Sequence, residues 1–156
     1  MADTAPSTID DTLLRARVEA IYALTVPTII MDLIGSGLMA AYFWTPDRAG
    51  WLLAWLMATI ALCATRSAAA LAYHQGRMAR TSPRSIARMA VIFAGLSGLL
   101  WSGAVGWMLA VGTDNQVMFV VCVELGALSL TIAKVAYWPV YAIFAMPVSL
   151  AGAVGL

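Results

Sequence analysis

The sequence predicts an all-α protein, a polytopic bundle of about five transmembrane helices preceded by a short amphipathic helix. Three observations carry this prediction: 62% of the 156 residues are hydrophobic, only 11% are charged, and the mean hydropathy is +0.86. Soluble domains average about 45–50% apolar and about 25% charged residues, so this chain departs from them in the direction that a bilayer requires. The same composition excludes a disordered chain. A nucleic-acid-binding protein is also excluded, because the sequence has no basic face.

Apolar runs of about 20 residues, the length that crosses a bilayer, divide the chain into spans. These runs lack the alternation of β-barrel strands, and aromatic residues lie near several of their ends, as in the aromatic belts of membrane proteins. The weakest boundary is the last one, where Lys134, Tyr137 and Pro139 interrupt the apolar sequence. The predicted spans are 21–44, 51–73, 89–111, 116–136 and 138–156.

Residues 1–20 are predicted to form a cytoplasmic N-terminal segment ahead of the bundle at 21–156. Ser7 and Asp10 have the spacing of a capping box, and the apolar residues that follow at helical spacing indicate a short amphipathic helix. The segment lacks the basic start and short apolar core of a cleaved signal peptide, so we expect the first span to remain in the mature protein. The apolar C-terminal end, which has no flanking charge, is more typical of an interrupted domain than of a finished one.

Positive charges are distributed unequally between the two sides of the predicted bundle. Arg66 lies inside a span, and Arg48 falls on the side opposite to the N-terminus. Because cytoplasmic loops of membrane proteins are rich in Arg and Lys, this bias predicts a cytoplasmic N-terminus. The cations on the N-terminal side are Arg15, Arg17, Arg77, Arg80, Arg84, Arg88 and Lys134.

Three ionisable residues lie within predicted spans, where Asp or Arg costs about 2.5–3.5 kcal/mol on insertion scales. Counted at about 1.5 Å per residue from the cytoplasmic ends, Asp32 lies about 16 Å deep, Arg66 about 12 Å and Glu124 about 18 Å. The long guanidinium spans the first difference, so we predict an Asp32–Arg66 pair and a Glu124 that lacks a cation. Either Asp32 and Arg66 only hold two helices together, or the trio forms a ligand-binding or proton-sensing site. The alternative for Arg66 is to snorkel alone to the interface.

The remaining features favour packing over chemistry. Three small residues recur at every fourth position on one face of the third span, where another helix can approach closely, and packing within the bundle is favoured over dimerisation: Gly98, Ser102 and Gly106. Cys63 and Cys122 have no CxxC partner or neighbouring histidine, and His74 alone does not make a zinc or haem site. The sequence therefore predicts no catalytic residue, no metal site and no cofactor, and the chain is expected not to be an enzyme itself.

The order of several features resembles a family of bacterial membrane sensors. The second span contains Leu-Leu-Ala-Trp-Leu at 52–56, then Arg66, then Ala-Tyr-His at 72–74. After a basic loop come Gly-Leu-Ser-Gly-Leu-Leu-Trp-Ser-Gly at 95–103 and, in the last span, Tyr-Ala-Ile-Phe-Ala-Met-Pro at 141–147. Over residues 12–156 this pattern is similar to the MASE-like N-terminal membrane-associated sensor domains. These precede diguanylate cyclases and cyclic-di-GMP phosphodiesterases (GGDEF and EAL effectors) or histidine kinases.

The resemblance implies a non-catalytic sensory input domain in the bacterial inner membrane, whose output would come from a separate effector domain. In that function, Asp32, Arg66 and Glu124 are the polar groups available to a ligand. A second hypothesis is a small accessory or scaffold subunit of a larger membrane complex, for example an energy-converting one. A small multidrug-type transporter ranks last, because that group has a Glu in its first helix and often a weak charge bias. The expected partners are the lipid bilayer and either a second copy of the chain or a larger complex.

Overall fold

A computed structural model describes residues 8–78, 81–131 and 138–155 of the chain. All regular secondary structure in these ranges is helical, which confirms the predicted all-α class. The helices that these ranges contain are α1 (Thr8–Ala23), α2 (Thr25–Tyr42), α3 (Ala49–His74), α4 (Pro83–Val111), α5 (Asp114–Thr131) and α6 (Trp138–Gly155).

Three segments of the described chain are long and apolar enough to cross a membrane: Thr12–Tyr42, which joins α1 to α2, and the helices α3 and α4. The helices α5 and α6 have 18 residues each, near the lower limit of about 17 residues for a span. The chain thus has the composition and the helix lengths of a membrane protein, and α2 to α6 follow the order of the five predicted spans.

The helix α1 runs across the predicted boundary between the N-terminal segment and the bundle, after residue 20, and ends at Ala23. The helical path is distorted at Leu24, where two backbone hydrogen bonds, from Leu24 to Ala20 and from Thr28 to Leu24, lengthen to 3.3 Å. Pro27 explains the position of this break. Proline has no N–H to donate to the carbonyl four residues earlier, that of Ala23, and its ring clashes with that carbonyl.

The helix α1 packs on the bundle and is not a separate surface helix. Its residues Val18 and Tyr22 are buried together with Ile86 and Ala87 from the start of α4. The Tyr22 ring also stacks on Tyr73 of α3, with the ring centroids 4.5 Å apart. These contacts hold α1, α3 and α4 together at the end of the bundle that carries most of the arginines, which we call the basic end.

The helix α4 begins at Pro83, six residues before the predicted start at 89. Ser82 caps it, because the Ser82 hydroxyl accepts a hydrogen bond from the Ser85 N–H at 3.3 Å and Pro83 is well suited to the first helical turn. Arg84 and Arg88 therefore lie on a helix and not in a loop. The predicted end of the fourth span at 136, with Lys134 and Tyr137, lies outside the described residues.

The opposite end of the bundle, which we call the far end, contains the turns between α2 and α3 and between α4 and α5. A tightly packed core lies beneath them, with completely or almost completely buried side chains from four helices: Met39, Phe43, Leu52, Val105, Met108 and Val120. The rings of Trp51 and Trp107 stack at a centroid distance of 4.1 Å and join α3 to α4.

Two side chains also tie backbone carbonyls together across the far end. Arg48 Nη2 donates to the Val111 carbonyl at the end of α4, at 2.9 Å. Gln116 Nε2 donates to the Tyr42 carbonyl at the end of α2, at 3.1 Å. Both bonds satisfy carbonyls of a last helical turn, which have no partner within their own helix.

The helix α4 is the centre of the bundle: it packs most extensively on α6 and also contacts α1, α3 and α5. The helix α2 packs on α3 and α5 and makes little contact with α4. This incomplete packing leaves a space between α2 and α4, and the candidate site lies there.

Candidate functional site

The predicted Asp32–Arg66 pair forms between α2 and α3. Arg66 Nη1 donates to Asp32 Oδ2 at 2.7 Å, and the two side chains are 12% and 15% exposed, respectively. The prediction that the two charged groups approach each other within the bundle is therefore confirmed. At this depth each charge compensates for the other, which is the usual arrangement of ionisable residues inside membrane bundles.

Helix geometry explains why the pair forms although the two Cα atoms lie at different depths. Counted from the far end, Asp32 is about 15 Å from the end of α2 and Arg66 about 25 Å from the start of α3. Side chains on a helix lean toward its N-terminus, and the N-terminus of α3 is at the far end. The Arg66 side chain therefore extends in the direction in which Asp32 lies.

Ser97 of α4 is a third member of the site that the sequence analysis did not identify. Its hydroxyl accepts a second hydrogen bond from Arg66 Nη1, at 3.4 Å, and the residue is 4% exposed. One guanidinium nitrogen thus joins α2, α3 and α4. A single serine in an apolar helix gives little signal, but Ser97 lies midway between Phe93 and Trp101, and this spacing places all three on one face of α4.

The ion pair forms part of the wall of a cavity of about 380 Å³ between α2 and α4. Its lining on α1 and α2 extends from Ile21 to Leu38, about 25 Å along the helix axis. The rim residues Met31, Ile34 and Leu38 are about half exposed. The cavity is therefore elongated along the helices and opens sideways, toward the surface that apolar exposed side chains cover.

Gly35 adjusts the shape of the cavity where α2 comes close to α4. A methyl group at this position would lie 3.1 Å from the Trp101 ring and 3.8 Å from a methyl group of Val123. With a methyl group at this position the indole ring of Trp101 would have to move away by a few tenths of an ångström, so glycine allows the ring to lie this close to the α2 backbone. The Trp101 ring is then fixed from the other side by an edge-to-face contact with Trp55, at a centroid distance of 6.2 Å.

Glu124 lies apart from the ion pair. It is 6% exposed on α5, it is not among the residues that line the cavity, and its Oε1 has no hydrogen-bond partner in the described part of the chain. The structure therefore brings together two of the three predicted intramembrane site residues. A ligand in the cavity would contact Asp32 and Arg66 and would not contact Glu124.

The three small residues of α4 have different environments. A methyl group at Gly98 would lie 3.1 Å from backbone atoms of Ile143 and Phe144 of α6, whereas nothing described lies within 4 Å of one at Gly106. The Ser102 hydroxyl donates to the Gly98 carbonyl within α4 itself. Among the described residues, Gly98 therefore lies in close contact with α6, whereas Gly106 does not touch another helix.

Metal-ligating side chains do not converge anywhere in the ranges that the structure describes, since no three His, Cys, Asp or Glu residues come together there. Cys63 is buried and Cys122 is exposed, and both are free thiols. His74 makes an edge-to-face contact with Tyr73 at the end of α3.

Comparison with protein-family models, with curated protein sequences and with solved structures gives no match to this chain.

Proposed function

We propose that this chain is the sensory input domain of a membrane-bound signalling receptor and that it binds its ligand inside the helical bundle. The observation that supports this most is the cavity between α2 and α4, whose wall contains the Asp32–Arg66 pair. Its volume of about 380 Å³ falls within the usual range for small-molecule pockets, about 300–1,000 Å³. Ionisable residues inside a membrane bundle frequently belong to functional sites, and Asp32 and Arg66 are therefore candidates for a functional role.

The proposal agrees with the resemblance to MASE-like sensor domains, which act as non-catalytic inputs to cyclic-di-GMP enzymes or histidine kinases. The external turns, 43–48 and 112–113, are too short to form a separate ligand-binding domain. A signal would therefore have to act on the helices themselves. Packed bundles respond to a ligand by discrete shifts of one helix against another.

The orientation is part of this proposal. Arg15, Arg17, Arg77, Arg84 and Arg88 lie at the basic end, and Arg48 is the arginine of the far-end turns. Under the positive-inside rule, the basic end would face the cytoplasm of a bacterium, with the chain in its inner membrane. An effector on the cytoplasmic side would then respond to movements at the basic end.

An accessory subunit of a larger membrane complex is the competing hypothesis. Such a subunit needs a rigid bundle with a surface that binds its partner subunits. The Asp32–Arg66 pair would then only join α2 to α3. The two hypotheses differ in one measurable respect, because a sensor must change shape at the basic end when the cavity is filled and a scaffold need not.

Spin labels at the basic end measure this response. In a background in which Cys63 and Cys122 are replaced by alanine, labels are attached at Arg17→Cys on α1 and Arg84→Cys on α4, both exposed positions. Distance distributions are recorded by pulsed electron paramagnetic resonance in nanodiscs of pure synthetic phosphatidylcholine and of a total bacterial lipid extract. A sensor that responds to a component of the extract gives two different distributions.

A pair of matched variants separates a site-specific response from a general effect of the lipids. Ala94→Phe adds a ring to the cavity wall, and Ala110→Phe makes the same change at an exposed position of α4 outside the cavity. We expect Ala110→Phe to respond as the native sequence does and Ala94→Phe not to respond. Identical distributions in both lipids, or an equal response in both variants, would contradict the sensory function.

A further inference from the structure

The shape of the cavity restricts what it can hold. It follows α1 and α2 for about 25 Å, and the part between Ile21 and Met31 is lined mainly by apolar side chains, including Leu24 and Pro27. Such a narrow apolar space suits an extended hydrocarbon chain better than a compact polar solute. The sideways opening past Ile34 lets a molecule enter from the lipid phase.

The charges of the cavity are already balanced. Asp32 and Arg66 neutralise each other at 2.7 Å, and the other polar residues of the lining are uncharged: Tyr22, Thr25, Thr28 and Ser97. A ligand with its own net charge would leave one charge uncompensated in a medium of low polarity, which is costly. The occupant should therefore carry no net charge.

The Arg66 guanidinium has more hydrogen-bond donors than its bonds to Asp32 and Ser97 use. Arginine has five N–H donors in a fixed plane, and the bonds of Arg66 to Asp32 and Ser97 both come from Nη1. Its Nη2 and Nε donate to no acceptor within residues 8–78, 81–131 and 138–155. Unused donors in the wall of an apolar cavity favour an occupant that presents hydrogen-bond acceptors.

Aromatic rings flank this polar point. Phe93 and Trp101 lie one helical turn before and after Ser97 on the same face of α4, and Phe144 of α6 also lines the cavity. Aromatic rings attract other flat rings in offset or edge-to-face arrangements. The polar end of the occupant is thus expected to be flat.

From these four properties we infer that the cavity binds an uncharged lipid with a flat ring that carries carbonyl acceptors, of the chemical class of the alkyl quinones. The ring carbonyls would accept hydrogen bonds from Arg66, the ring would pack against Trp101 and Phe93, and the chain would occupy the groove along α2. This inference rests on the proposed function, because it names the class of ligand for the same cavity.

Tryptophan fluorescence provides a direct test, because a quinone quenches a nearby indole. The probe is a benzoquinone with a ten-carbon alkyl chain, titrated into the full chain in nanodiscs of synthetic phosphatidylcholine. We expect a saturable quenching component that disappears in Trp101→Phe. The same change at Trp44, which is exposed at the far end, should leave the saturable component intact.

A charge-neutral double variant tests the polar contact without leaving an unpaired charge in the membrane. Asp32→Asn combined with Arg66→Gln keeps an amide pair but removes the guanidinium. Loss of hydrogen bonds from a charged donor should weaken the binding of the probe roughly tenfold or more. Circular dichroism before the titration establishes that the variant is folded, and Ala94→Phe, which blocks the cavity sterically, is an independent second variant.

Three results would overturn the inference. Quenching that rises linearly with probe concentration in every variant would mean that the probe collides with the protein at random in the bilayer and that no site exists. Equal binding by the native chain and the double variant would mean that Arg66 does not hold the ring. Displacement of the probe by a fatty acid of the same chain length would mean that the site prefers a carboxylate. If the spin labels at the basic end still respond to the bacterial lipid extract in any of these cases, the sensory function stands and only the ligand class is wrong.

Discussion

Gly98 on α4 lies directly against the backbone of Phe144 on α6. A methyl group at Gly98 would be 3.1 Å from the Phe144 Cα and from its carbonyl oxygen, and 3.1 Å from the carbonyl oxygen of Ile143. Pro147, four residues after Ile143, has no N–H with which to bind that carbonyl within the helix. The closest approach of α4 to α6 thus occurs where the α6 backbone has a carbonyl without its usual helical partner, and a Cα–H of Gly98 can lie beside it.

Gly98→Ala is expected to destabilise the bundle by about 1–3 kcal/mol, because the new methyl group meets backbone atoms that cannot move alone. The control is Gly103→Ala on the same helix, where a methyl group has no described neighbour within 4 Å. That change should stabilise the protein by up to about 1 kcal/mol, because alanine favours helix more than glycine does. Thermal unfolding in detergent, followed by circular dichroism, compares the two variants. Equal melting temperatures would contradict the close packing of α4 on α6.

Arg66→Leu should destabilise the protein more than Asp32→Asn. Leucine leaves the Asp32 carboxylate buried without a counter-charge, at a cost of about 3–5 kcal/mol, whereas an asparagine still accepts a hydrogen bond from Arg66. The double change Asp32→Leu with Arg66→Leu removes both charges and should recover most of the loss. Chemical unfolding in mixed micelles provides the comparison, and a double variant that is no more stable than Arg66→Leu would argue against direct coupling of the pair.

Glu124→Leu is expected to leave the free energy of unfolding unchanged or to raise it. The Glu124 carboxyl is buried, and its Oε1 has no partner in the described chain, so an apolar side chain removes the cost of an unsatisfied polar group. The same unfolding assay applies, with Asp32→Leu as a contrast that should lose stability. A loss above about 1 kcal/mol in Glu124→Leu would mean that the carboxyl contributes a stabilising contact.

Pro27→Ala should make α1 and α2 one continuous helix. An alanine at this position can donate its N–H to the Ala23 carbonyl and removes the steric conflict with it. Hydrogen–deuterium exchange should then slow at residues 24–28, whereas exchange across the distant Pro147 segment should stay unchanged. Unaltered exchange at 24–28 would mean that Pro27 does not cause the distortion at Leu24.

Cysteine labelling decides the orientation. Arg77→Cys lies at the basic end and Asp47→Cys at the far end, and both positions are exposed. We expect a membrane-impermeant maleimide added to intact bacteria to label position 47 and not position 77, because the basic end should face the cytoplasm. The reverse labelling pattern would invert the topology.

The Asp32–Arg66 pair was predictable because few arrangements lower the cost of two opposite charges on successive helices, and the long arginine side chain spans the difference in depth. Ser97 was not predictable, since a hydroxyl in an apolar helix usually bonds to its own backbone, and only the rotation of α4 brings this one to Arg66. Gly98 and Gly106 belong to the same four-residue repeat of small residues in the sequence, but the position of α6 decides which of them forms a contact.

The helix boundaries also divide into those that were predictable from the sequence and those that were not. The far-end turns were predicted to within two residues because apolar runs stop abruptly there. The start of α4 was missed because its first turn is polar, and hydropathy alone does not detect a Ser82 cap followed by Pro83. The break at Leu24 lies three residues before Pro27, because proline acts on the carbonyl four residues earlier and not at its own position.

The ties at the far end give the bundle a mechanical asymmetry. Because Gln116 holds the end of α2 and Arg48 holds the end of α4, a wedge between these helices must rotate α2 about its far end, as a lever turns about a fulcrum. Asp32 lies about 15 Å from that fulcrum and Thr25, the first residue of α2, about 26 Å, so a displacement at the ion pair would grow by more than half at the start of α2. A ligand that moves Asp32 by an ångström would thus move the junction of α2 with α1 by about 1.7 Å.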